Sequence, residues 1–333
     1  MTKTASLCIL ALFLVLGCLT ETSRGNLPVR PSDAVVEYGH GIKINYFQPD
    51  FEEIYSSEVF TISMDLLNVG NAKASQIGPR LSLPGGFSLQ AGPRGAPSDM
   101  DPPDVTNNFP GDAALVFWEV LAPSDISTRE HEIRGIVTYN YISEGRADFV
   151  MLTRQRLYEH RKQSTEPQGT SASSSAGPVS VEIVVPQSQI VVSKDETGSY
   201  SERIVPITIN IKDVGTGVVK AIDKGTGCHD ELGCIDKVTI RMTKPNPQYY
   251  ALMECNDVLA TSSGSEYVVD IPKLQMVGAE TGYVTCNLNV TLPDDVDPSF
   301  ERLYSAYAIA SYNYQIEGKT NIKVVGTGGL APS

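Results

Sequence analysis

The chain has 333 residues, a net charge of −13, 28 glycines and 21 prolines spread along its length. That length allows two domains, each able to bury its own core. With no basic run longer than Arg161-Lys162, the acidity argues against a nucleic-acid partner, which would call for Lys and Arg gathered on one face.

Residues 1–17 have the form of a signal peptide: Lys3 is the only charge, and Leu7 to Leu16 is an apolar run. The run is shorter than the roughly 20 residues a bilayer span needs. Val15-Leu16-Gly17-Cys18 resembles the lipobox of prokaryotic lipoproteins, which implies that Cys18 becomes a lipidated N-terminus. Ordinary signal-peptidase cleavage and an uncleaved anchor are the alternatives. All three place the remainder outside the cytoplasm, behind a polar tether over 18–34.

From residue 35 the sequence is one β-type unit written twice. Phe60, Ile62, Met64 and Leu66 alternate with polar residues, as do Val205, Ile207, Ile209 and Ile211. A period of two with one apolar face predicts a half-buried strand. Both runs end alike, in Asn68-Val69-Gly70 and Asp213-Val214-Gly215, where Asx and Gly supply a tight bend. Pro206 calls for a place where no N–H is needed, an edge or a bulge. Next, Trp118 to Asp125 corresponds to Leu288 to Asp295, each entering a Pro-acidic loop. Tyr139-Asn140-Tyr141 then returns as Tyr312-Asn313-Tyr314, running into Glu144-Gly145-Arg146 and Glu317-Gly318-Lys319, which read as equivalent hairpin turns.

Collinear repeats of this kind identify a duplication. The spacing grows from 145 residues at Gly70/Gly215 to 173 at Tyr139/Tyr312, so the second copy carries 28 more residues. Only Thr153 to His160 suggests a short helix. The Ser, Thr, Gly and Ala of 159–178 predict a flexible linker. The expected organisation is domain 1 over 35–158, this linker, domain 2 over 179–328 and a tail over 329–333.

Short strands and Gly/Pro turns predict an all-β chain of two tandem immunoglobulin-like β-sandwich domains. The opening Phe47-Gln48-Pro49-Asp50-Phe51 and Tyr55-Ser56-Ser57-Glu58 resemble the start of the Ig-like, CARDB- or fibronectin-like domains of archaeal cell-surface proteins. The family pattern has Gly where this chain has Ser57. The resemblance implies surface-exposed sandwich modules.

Cys228, Cys234, Cys255 and Cys286 all fall in the second copy, an even number in an exported domain, and predict two disulfides. Three pairings are possible; Cys228–Cys234 and Cys255–Cys286 is the favoured one, with Cys286 falling where the first copy has Val116. Their intervals are unlike zinc knuckles, so no metal site is expected.

No nucleophile elbow, metalloprotease helix or phosphate loop occurs, and no enzyme activity or cofactor is expected. His131 reads as solvent-facing. Asp99, Asp101 and Asp104, with Asp294, Asp295 and Asp297, form acidic loops that either hold calcium or simply shape turns. Tyr139, Tyr141, Tyr312 and Tyr314 are the possible ligand-facing residues, set against a packing role. His229, Asp230 and Glu231 would matter only if they lined a pocket. Asn289-Val290-Thr291 is the one N-glycosylation sequon. The functional expectation is a membrane-anchored, extracellular cell-surface protein that is not an enzyme, acting in adhesion, scaffolding or envelope or filament assembly. Its partners would be other surface proteins or glycans. The alternative is a carbohydrate- or peptide-binding accessory module of an extracellular enzyme, transporter or secretion system.

Overall fold

The computed structural model describes residues 39–124, 127–167, 171–221, 228–244 and 250–326. The signal segment 1–17, the tether 18–34 with Cys18, and the tail 329–333 lie outside them.

The first copy supplies β1 (Ile42–Pro49), β2 (Glu53–Tyr55), β3 (Val59–Asn68), β4 (Ala74–Ser82), β5 (Ser88–Arg94), β6 (Asp99–Met100), β7 (Ala113–Leu121) and β8 (Arg129–Thr153). Helix α1 (Arg154–Gln163) and the short β9 (Ala172–Ser174) follow. The second copy supplies β10 (Val179–Val184), β11 (Gln189–Val192), β12 (Arg203–Asp213), β13 (Val218–Lys220) and β14 (Cys234–Thr243). It continues with β15 (Tyr250–Cys255), β16 (Val258–Leu259), β17 (Thr261–Ser263), β18 (Glu266–Gln275), β19 (Thr281–Thr291) and β20 (Glu301–Val325).

The fold is all-β and layered. A four-stranded sheet, β1-β3-β7-β5, and a five-stranded sheet, β10-β12-β19-β15-β16, both pack on a central sheet ordered β17-β18-β14-β20-β8-β4-β6. The alternating runs of the sequence are β3 and β12, whose apolar sides point into the core. Pro206 sits in β12 opposite Asn287 of β19. On its other side β10 has already ended, at Val184 opposite Thr208, so the missing N–H falls on a local edge.

The joint between the copies differs from the one expected. β8 and β20 are each 25 residues long, about 80 Å, far beyond an ordinary strand. They pair antiparallel end to end, from Glu301 opposite Leu152 to Val324 opposite Arg129. Neither copy alone can cover strands of that length. Each long strand therefore starts under its own copy's outer sheet and finishes under the other's.

The short strands confirm the crossing. β2 of the first copy pairs parallel with the end of β20, and β11 of the second pairs parallel with the end of β8. One continuous apolar cluster runs from Ile42 to Val324. The expected linker, too, is built into the body. Thr153 caps α1 by accepting the Arg156 N–H at 3.2 Å, and basic residues fill the helix's last turn, where they suit its dipole. β9 lies antiparallel against Gly145–Ala147 of β8.

The repeated Glu-Gly-Arg and Glu-Gly-Lys are not turns. Gly145 and Gly318 lie mid-strand, each facing the other copy's outer sheet. A Cβ on Gly145 would sit 2.3 Å from the Val181 carbonyl oxygen, and one on Gly318 would sit 3.1 Å from the Phe47 Cβ. Gly145 is required by close approach to backbone rather than by a bend, and at Gly318 a side chain would crowd that of Phe47.

Ser57, where the family pattern has Gly, adopts φ +62° in the left-handed region, with its side chain exposed. An L-residue there costs about 1 kcal/mol relative to Gly. Ser57→Gly is accordingly expected to raise the urea unfolding midpoint with an unchanged m-value, corresponding to a gain of about 1 kcal/mol.

Candidate functional site

At the centre of the β8–β20 ladder Tyr312 stands opposite Tyr141, Asn313 opposite Asn140 and Tyr314 opposite Tyr139. The Asn313 side-chain amide donates to Asn140 Oδ1 at 3.0 Å across a local two-fold axis. The repeated motif thus pairs with itself. The four tyrosine rings meet edge-on or tilted with centroids 5.9 to 6.3 Å apart, and each ring is at most 2% exposed.

Their hydroxyls fasten the entry of each copy. Tyr139 accepts the Ile42 N–H at 3.2 Å, and its counterpart Tyr312 accepts the Val179 N–H at 3.1 Å. Tyr141 accepts from Ala72 N at 2.9 Å, and Tyr314 from Gly217 N at 3.0 Å. Burial pushes all four hydroxyls above the ordinary tyrosine range. The possible ligand-facing assignment is therefore corrected. These side chains are an internal latch: the apolar rings fill the place where two outer sheets meet, and each hydroxyl satisfies a buried or half-buried backbone N–H.

The latch is not fully symmetric. Asn68 Oδ1 and Asp213 Oδ1 each accept the N–H two residues on, at 3.1 Å. Asp213 also accepts the Tyr314 hydroxyl at 2.9 Å, and burial holds its carboxyl above the ordinary range despite that bond.

Other titratable groups fasten strands in the same way. Asp148, 8% exposed, takes hydrogen bonds from Ser171 and Ser305 and pairs with Arg146 at 3.1 Å. Burial pushes its carboxyl up, but those partners together hold it below the usual range. Buried His160 bridges Glu301 at 2.7 Å and Thr165 at 2.9 Å, while Arg156 reaches the same Glu301 oxygen at 2.8 Å, tying α1 to β20. His131 lies on the covered face of β8, against Phe87 at 5.1 Å, not towards solvent. The reason is register: it shares the parity of Ile133 and Val137, the core side.

The acidic loops act locally. Asp99 and Asp101 face Lys73 at 3.5 and 3.6 Å, and Asp104 accepts from the Thr106 and Asn107 N–H groups. Asp297 caps Ser299, and Asp294 accepts the Ser199 hydroxyl; Asp295 is exposed. Among the described residues no group of three His, Cys, Asp or Glu is placed to hold a metal ion.

Both disulfides are present. Cys228–Cys234 closes an exposed loop on which His229, Asp230 and Glu231 face outward. Cys255 and Cys286 are direct cross-strand neighbours in the core. Cys286 opposes Ile207 as Trp118 opposes Ile62 in the first copy, so the cystine occupies the place of the tryptophan, two residues from the Val116 that the sequence suggested. Asn289 is half-buried on the outer side of β19, its amide bonded to Glu202.

Two surface features were not visible in the sequence, because each gathers residues from distant segments. One is a cleft of about 590 Å³ lined by Pro49, Asp50, Glu52, Glu53, Glu130 and Thr320 to Lys323. The other is the outer face of the four-stranded sheet. There Leu115 stands opposite Asp65, Asp65 opposite Tyr46, and Phe117 opposite Ser63. Tyr46, Leu115 and Phe117 are 36 to 40% exposed.

No protein-family model and no curated protein matches the chain. Among solved structures it is similar in outline to the secreted serine protease VesC from Vibrio cholerae, at 7% identity over 82% of this chain, with a TM-score of 0.21. The match covers 50% of that chain, so the present chain spans about half of VesC. The collagen adhesin of S. aureus matches at 10% identity over 87% of this chain and 95% of that one, with a TM-score of 0.13. The Enterococcus faecalis MSCRAMM ACE matches at 9% identity over 85% and 95%, with a TM-score of 0.12. Superpositions this poor carry no functional argument, and the architecture rests on the chain's own strands.

Two outcomes follow. Tyr139→Phe strands the Ile42 N–H in a dry site and is expected to cost about 1–3 kcal/mol in urea unfolding, with exposed Tyr55→Phe near zero as the control. Asp148, whose folded-state carboxyl titrates low, contributes stability that is full above about pH 4 and lost as pH falls through its folded-state value. Asp148→Asn is expected to lower stability at pH 7 and to flatten the acid limb of a Tm-versus-pH curve.

Proposed function

We propose that this is an exported, non-enzymatic β-sandwich protein of the cell surface. It acts in adhesion, scaffolding or envelope assembly by holding a protein partner on the outer face of its four-stranded sheet. The observation that carries this reading is the part-exposed side chains on that face, Tyr46 and Leu115 on either side of Asp65 and Phe117 opposite Ser63, beside the Arg94–Glu119 ion pair at 3.0 Å. Aromatic and aliphatic side chains interleaved with charged ones on an exposed face suit a protein partner.

Export is supported by the two cystines, which persist in oxidising compartments. Anchoring through a lipidated Cys18, and kinship with archaeal-type surface domains, belong to the same reading. No described helix is long and apolar enough to cross a membrane. The non-enzymatic character is supported by how the buried titratable groups are engaged: His160, Asp148 and Asp213 each hold two strands or a strand and the helix together.

The test is capture by cross-linking on intact cells. Leu115→Asn with Phe117→Ser is expected to lower capture at least about tenfold while leaving Tm nearly unchanged, since both side chains already face water. Unchanged capture would overturn the face assignment. For the anchor, release of the protein from membranes by high salt alone would count against lipidation.

The accessory-module reading keeps one supporting observation, the acidic cleft beside β2. It predicts specific glycan or peptide binding that is lost on Glu130→Gln.

A further inference from the structure

The insertion in the second copy interrupts a strand. In the first copy β4 runs along β8 with Ser75 opposite Asn140 and Gly78 opposite Thr138, and Gln76 and Ile77 form a bulge between them. The equivalent partner of β20 is split in two. β13 ends with Lys220 opposite Asn313, and β14 takes up the pairing with Lys237 opposite Ser311. The step from Ser75 to Gly78 takes three residues, whereas that from Lys220 to Lys237 takes 17. The break therefore lies opposite Tyr312, at the centre of the latch.

Cys228–Cys234 closes the inserted loop across this break. Cys234 is the first residue of β14, and the loop folds back on β13: Gly233 N donates to Val219 O at 2.8 Å, and Ala221 N donates to Glu231 O at 2.7 Å. From the end of β18, the Gln275 side chain accepts the His229 N–H and donates to Leu232 O, at 3.1 and 3.0 Å; these bonds face water. Among the described residues Cys228, Cys234 and Ala221 form a small buried cluster of their own, separate from the main core, beneath the exposed 229–232. β13 in turn meets the latch, where Val219 stands opposite Tyr314 and Gly217 N donates to the Tyr314 hydroxyl at 3.0 Å.

The two cystines are unequally placed for attack by a thiolate. Cys255 and Cys286 join neighbouring strands inside the main core, where access requires unmaking a sheet. Cys228–Cys234 needs only its own loop to move. It also spans 6 residues against 31, so it constrains the chain less. Accessible cystines are the labile ones.

We propose that Cys228–Cys234 is a redox-sensitive staple, whose reduction opens the inserted loop and loosens β13 from β20 beside the tyrosine latch. A dithiol supplies the electrons. Its thiolate attacks Cys228 Sγ, the S–S bond breaks, and Cys234 leaves as a thiolate that takes up a proton. The reductant's second thiol then attacks the mixed disulfide, releasing Cys228 as a thiol and leaving the reductant as its own disulfide. Two electrons and two protons pass to the protein, and the core cystine stays closed. This inference stands independently of the proposed partner-binding face.

The full chain, treated with dithiothreitol under native conditions and alkylated with iodoacetamide, tests it by mass spectrometry of the labelled peptides. Cys228 and Cys234 are expected to label at least about tenfold faster than Cys255 and Cys286. In the same sample, amide exchange at Gly217, Ala221 and Gly233 is expected to quicken at least about tenfold. Asn256, whose N–H is held by Thr285 O at 3.0 Å beside the core cystine, is the unchanged internal control. Cys228→Ser combined with Cys234→Ser is expected to give the same exchange without reductant. Equal labelling of all four cysteines would overturn the proposal. So would reduction of Cys228–Cys234 that leaves Gly217 exchange unchanged, since the staple would then act on the loop alone.

Discussion

The ladder between β8 and β20 is the constraint from which the rest of the molecule follows. Two strands of 25 residues, paired throughout, present a single face too long for one sandwich half to cover. Covering it takes both outer sheets, so the copies must cross under one another. The crossing in turn dictates glycine at 145, where backbone meets the covering sheet, and places the tyrosine cluster at the centre, where the two outer sheets abut. The geometry is that of an isologous dimer interface contained in one chain: residue i of one copy meets residue j of the other, and j meets i. A chain built this way gains the cooperativity of a dimer without the concentration dependence that a separate partner imposes.

Where the copies depart from symmetry, each has found a different solution to the same local problem. Facing Ile62, the first copy fills its core with Trp118. Facing Ile207, the second uses Cys286, bonded across to Cys255. A large ring supplies buried apolar area; a cystine supplies a cross-link that restricts the unfolded chain. The second copy also carries the longer insertion between its matched strands, where loop closure costs more. A cross-link is better placed there than in the shorter first copy. The exchange of Asn68 for Asp213 is of the same kind. Both close the same bend, but the carboxylate adds a bond to Tyr314 at the expense of desolvating a charge.

Much of this was legible in the sequence because it is local. Alternation in 60–66 and 205–211 defined β3 and β12, the Asx-Val-Gly bends closed as Asx turns, and the duplication stood out in Tyr-Asn-Tyr. The joint was not legible, since pairing between residues 149 to 195 apart leaves no periodic mark on either strand. Glu144-Gly145-Arg146 carries the composition of a turn, and only the approach of Val181 shows why the glycine is there. The tyrosines left a packing and a ligand-facing reading open for a related reason. An aromatic ring with a hydroxyl is equally suited to a binding site and to a buried backbone N–H, and the choice depends on which layer covers it. His131 is polar enough to suit solvent, yet its parity with Ile133 turns it to the core side. The acidic cleft draws on β1, β2, β8 and β20, four segments that no sequence window contains together.

The same architecture narrows where a partner can bind. The covered face of the central sheet is filled by the core, and the hydroxyl contacts of the four tyrosines are buried or half-buried beneath it. A ligand that reached them would have to break the ladder that holds the copies together, a cost shared by the whole fold rather than by one loop. The outer sheets, by contrast, meet water without supporting any other layer. Their exposed side chains can change without touching the core, as Tyr46, Leu115 and Phe117 of the first copy and Ile204 and Tyr283 of the second illustrate. Because the two outer sheets belong to one rigid ladder instead of two modules on a flexible joint, surfaces on both would engage at a fixed spacing. Avidity would then depend on matching that spacing, not on the reach of a linker.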